Sequence, residues 1–102
     1  MSASAAVAPI RERTEQVCLA LARAELEVAF SYLRLAEAES HGGNVAHAQD
    51  LVSKSQMTYL TAVRYIDSLT PDSDVDWCEL QSDFHELFGA IRRMASLLAL
   101  AS

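Results

Sequence analysis

Three histidines, two cysteines and an acidic run are the residues of this chain whose chemistry invites a site. His41 and His47 flank one short break in the sequence, whereas His85 lies far along the last helical segment. At 1.5 Å rise per residue an up-down-up arrangement holds His85 roughly 20 Å or more from the other two. No Glu-x-x-His pair occurs, since Ser82 stands three residues before His85, so the paired motif of a di-iron bundle is absent. His47 falls near a helix N-terminus, where the dipole disfavours protonation and argues against a pH switch. Cys78 and His85 are two turns apart, too far for direct hydrogen bonding, while a cysteine nucleophile needs a base within ~3 Å. Asp74, Asp76 and Glu79 near Cys78 oppose thiolate formation, and Cys18 falls on an apolar helix face as a small hydrophobe. The run Asp72-Ser73-Asp74-Val75-Asp76 lacks calcium-loop spacing, because Trp77 occupies the sixth position, where the loop needs Gly. No metal, cofactor or catalytic residue is therefore expected, and no enzymatic activity.

The elements that must position these residues are helices. Of 102 residues, 51% are hydrophobic and only three are Gly and two Pro, which suits one small helical domain. Fourteen acidic against eight basic residues leave a charge of −6, which repels a phosphate backbone and excludes nucleic acid as an expected partner. No apolar run reaches the ~18 residues of a membrane span, and no basic, apolar leader opens the chain. The expected compartment is the cytoplasm, with both thiols reduced.

Residues 10–40 contain no Gly or Pro and predict one long helix. Gly42 and Gly43 end it, with Asn44 as N-cap of a second helix over 45–69. Thr70 and Pro71 end that one, and Ser73 with Asp76 resembles a capping box for a third helix over 74–98. Residues 1–9 are expected as a disordered tail and 10–102 as a single domain. The third helix carries one stripe, Trp77, Leu80, Phe84, Leu87, Ile91, Met94 and Leu98. The first carries two: Val17, Leu21, Ala24, Val28 and Leu35, and separately Leu19, Leu26, Phe30 and Leu33. Two stripes call for two partner helices, hence an all-α, antiparallel up-down-up three-helix bundle.

Small residues recur at heptad spacing as Ala22, Ala29 and Ala36 in the first helix and as Ala48, Ser55 and Ala62 in the second. Folding about Gly42 in one antiparallel register pairs Ala36 with Ala48, Ala29 with Ser55, and Ala22 with Ala62, and predicts a close helix approach. The same register sets Glu25 opposite Tyr59 among apolar neighbours, with Arg92 or Arg93 within reach as a charge partner. A buried carboxylate needs such a partner, and the pair is either a register-fixing hydrogen bond or a polar site inside the bundle. Apolar residues left outside the expected core, Phe30, Met57, Leu60, Leu97 and Leu100, form the candidate interaction surface.

Tyr32, Leu35, Ala36, Gly43, Ala48 and Ser55 stand at the spacings of a packing aromatic, a Leu, a small residue, a turn Gly and two further small residues. In this the segment 32–55 resembles a tetratricopeptide-type helical hairpin. Glu39 stands where that family has an aromatic, Leu60 replaces its closing Pro, and no second repeat follows. The resemblance implies a tight helical hairpin and a leaning toward protein binding. The expected function is a helical interaction or assembly module that self-associates through protein contacts. The alternative is a bundle that binds a small molecule or metal around Glu25 and Tyr59.

Overall fold

The computed structural model describes residues 2–69 and 75–101, with the side chains of α1 described at Ile10 and from Glu12 onward. The architecture is all-helical, in the order α1 (Ser2–His41), α2 (Val45–Asp67) and α3 (Trp77–Ala101). α1 and α2 form a long antiparallel hairpin, and α3 packs against both with a smaller contact. The result is slender, 64 × 20 × 15 Å, and its long axis is set by α1.

The turn between α1 and α2 follows from its two glycines. Asn44 N–H donates to the Glu39 carbonyl at 2.8 Å and Gly43 N–H to that of Ser40 at 3.1 Å, the two bonds of a Schellman cap. Gly43 takes the positive φ, 86°, that this cap demands, at no steric cost. Asn44 then caps α2 as expected, its Oδ1 accepting from His47 N–H at 3.4 Å.

Two helix starts differ from expectation. α1 begins at Ser2 rather than Ile10, so the segment expected as a disordered tail continues the helix. Alanines at 3, 5, 6 and 8 supply the intrinsic preference. α3 begins at Trp77, and its N-cap is Asp76, whose Oδ1 accepts from Glu79 N–H at 3.1 Å. The capping sequence in use is Asp76-Trp77-Cys78-Glu79, an Asp with a Glu three residues on. Ser73 and the expected start at Asp74 lie outside the described residues.

The small-residue register holds. Ala22, Ala29, Ala36, Ala48, Ser55 and Ala62 are all fully buried. Ser55 Oγ donates to the Ala29 carbonyl at 2.9 Å across the α1–α2 contact. That bond satisfies the one buried polar side chain of the described core, and it requires the two backbones to lie close together. Larger side chains fill the levels between, namely Leu26 and Leu33 from α1 and Leu51 and Val52 from α2. Leu80, Leu87, Ile91 and Leu98 enter from α3.

α1 does not have both of its apolar stripes covered. Leu26 and Leu33 are buried and Leu19 and Phe30 partly so, but Val17, Leu21, Val28 and Leu35 stay 53%, 40%, 43% and 54% exposed. The expected two-sided coverage fails because α2 and α3 touch each other as well as α1. Both partners thus lie on one side of α1. A helix flanked from one side buries a single stripe and leaves the opposite one in water.

Candidate interaction surface

The exposed row on α1 is regular. Ile10, Val17, Ala24, Ser31 and Ala38 alternate with Thr14, Leu21, Val28 and Leu35 at steps of three and four, the a and d positions of a heptad repeat. Its large members, including Ile10 at 67%, are all exposed. Five such side chains leave on the order of 500 Å² accessible in one line, the size of patch that on a monomer is commonly functional. Arg13, Ala20, Glu27 and Arg34 border the row on one side, and Cys18, Glu25, Tyr32 and Glu39 on the other. Near its middle the flank is hollow, an open depression of about 460 Å³ lined by Gln16, Leu19, Ala20, Arg23, Ala24 and Glu27.

The surface residues expected from sequence are more scattered. Met57 and Leu60 are exposed on α2, and Leu97 and Leu100 near the end of α3. Phe30 is only partly exposed. It is half-buried against the core at the floor of a charged groove between α1 and α3, walled by Arg23, Glu27, Glu79 and Asp83. The α1 row was missed because its period was read as a core signal, and periodicity alone does not say which of two stripes faces the interior. The signal that distinguishes it is its continuity: it persists from Ile10 to Leu35, alongside rather than within the small-residue stripe that fixes the hairpin.

The expected Glu25–Tyr59 pair is not formed. Both residues are half-buried, and among the described residues no hydrogen bond joins them. Tyr59 instead packs its ring on α3, edge-on to Phe84 with centroids 5.8 Å apart and tilted against Phe88 at 5.9 Å. Aromatic contact of this geometry stabilises by about 0.5–1.5 kcal/mol beyond area burial. Glu25 borders the exposed row, where its carboxylate reaches water and needs no internal donor. Arg92, one of its two suggested charge partners, lies with its guanidinium 5.7 Å from the Phe88 ring centre. Glu25→Ala is accordingly expected to change stability by less than about 0.5 kcal/mol in urea denaturation. A loss of about 1–3 kcal/mol would restore the buried pair.

The remaining chemical candidates stay apart. His41 and His47 are exposed at the hairpin turn, with His47 Nδ1 3.4 Å from Glu39 Oε2, and His85 is exposed on α3. Cys18 is half-buried, not fully enclosed, with Ser68 Oγ 3.4 Å from its sulfur, and Cys78 is exposed. Among the described residues no three His, Cys, Asp or Glu side chains converge as metal ligands. An open apolar groove of about 320 Å³ runs between the end of α2 and the start of α3, lined by Ile66, Trp77, Leu80, Gln81 and Phe84. No helix among the described residues is long and apolar enough to cross a membrane.

Fold and surface together define an all-helical bundle built on a tight hairpin, with one long apolar row uncovered. No family model, curated protein or solved structure matches the chain. These comparisons give the tetratricopeptide resemblance no support, and Leu35, a packing position in it, is here exposed.

Proposed function

We propose that this chain is a protein–protein interaction module that assembles with itself and has no catalytic activity of its own. The observation that supports the reading is the row Ile10, Val17, Leu21, Val28 and Leu35, apolar, regular and exposed on the longest helix. Water contact along such a row is unfavourable by roughly 25 cal/mol per Å², a cost that association removes. A heptad repeat selects a helix as the occupant, because knobs at this spacing fit holes on another helix. The binding alternative around Glu25 and Tyr59 has less support, since the two groups do not converge on a common point.

The test is the solution mass by light scattering over a wide concentration range, for the wild type and for L21D/V28D. The wild type is expected to be a dimer or larger, and the variant a monomer with unchanged helical circular dichroism. Both substituted side chains face solvent in the isolated chain, so folding is spared. A wild type monomeric throughout overturns the proposal, as does a variant that retains the wild-type mass.

A further inference from the structure

Resting on the reading of a self-assembling module, we infer that the occupant of the α1 row is α1 of a second copy, antiparallel and centred on Leu19. Self-complementarity carries the assignment. In this register Ile10 meets Val28 of the second copy, Thr14 meets Ala24, and Val17 meets Leu21, so each large apolar residue between Ile10 and Val28 finds a knob-and-hole neighbour. Ala20 and its symmetry mate face each other across the two-fold axis, where their small side chains and the hollow beside them allow close approach.

The flanking charges select this register over its neighbours. It places Arg13 of each chain beside Glu27 of the other, twice by symmetry. Both residues are exposed and neither has an ion-pair partner within the chain among the described residues. Sliding by one heptad toward greater overlap sets Arg13 against Arg34. Sliding by two sets Glu27 against Glu27 and Glu25 against Glu25. Like charges at these positions disfavour the slipped registers. In a parallel pair the matching attraction would fall to Arg34 and Glu39, but Glu39 already faces His47 of its own chain at 3.4 Å. Antiparallel alignment also opposes the two helix dipoles favourably. The exposed apolar side chains between Ile10 and Val28 offer somewhat under half of the ~800 Å² per partner of a standard interface, and the stems of the flanking residues extend it.

Charge exchange tests the register separately from assembly itself. R13E and E27R are each expected to weaken the dimer roughly tenfold at low salt, since each replaces two attractions by two repulsions. The double variant R13E/E27R restores the dimer to within about threefold of the wild type. Dissociation constants come from sedimentation equilibrium at low and high salt, with circular dichroism reporting the fold. Assembly that is disrupted by L21D/V28D but indifferent to these exchanges overturns the antiparallel register and leaves the module reading standing. A wild type that never assembles overturns both.

Discussion

Leu87→Ala is expected to destabilise the fold by about 2–5 kcal/mol, the range for deleting a fully buried Leu side chain and leaving a cavity. Leu87 is completely enclosed near the middle of α3, and it shares with Leu98 the rank of largest fully buried side chain. Its surroundings give little room to collapse, because α3 is held by a single stripe against a hairpin whose own halves are locked by small residues. A domain of this size is stable by only ~5–15 kcal/mol, so the loss is a large fraction of the total. Urea titration followed by circular dichroism measures it. A loss below about 1 kcal/mol would mean that α3 is not seated on the hairpin as described. The variant also separates the roles of the elements: the exposed row lies wholly on α1, so association should fall only as far as the folded population falls.

Ala29→Leu is expected to cost about 1–3 kcal/mol by overpacking. Ala29 has no exposed surface, and its own carbonyl accepts the Ser55 hydroxyl at 2.9 Å. A Leu side chain there must push α2 away, and the displaced Ser55 loses its only described acceptor. The comparison that isolates the mechanism is Ala24→Leu, the same change a little over one turn earlier on the exposed side of α1. That substitution is expected to leave monomer stability within about 0.5 kcal/mol. Equal tolerance at both positions would contradict the close approach of α1 and α2.

Much of the fold was legible from single residues. Gly43, Asn44 and the alanine heptads sufficed for the turn, the cap and the hairpin register, because each acts through backbone geometry or steric bulk within a turn or two. Asp76 was read as the partner of a Ser73 cap, whereas it is itself the N-cap of α3. The candidate surface was only half legible. Its residues were identified as a stripe, yet they were placed in the core while Phe30 was placed outside it. Glu25 was misread for the same reason: a position between two apolar stripes is buried only if both stripes are.

The sequence by itself determined three helices, the turn between α1 and α2 and the way α1 closes on α2, since propensity, capping and small-residue spacing are local properties of the chain. Only the tertiary structure decided where α3 lies, and with it which stripe of α1 is buried. Two stripes of comparable hydrophobicity offer α3 similar free energies of burial. The choice falls to the groove that α1 and α2 create together, where one α3 stripe touches both helices at once. That gain exists only after the hairpin has formed, and no residue on α1 encodes it alone.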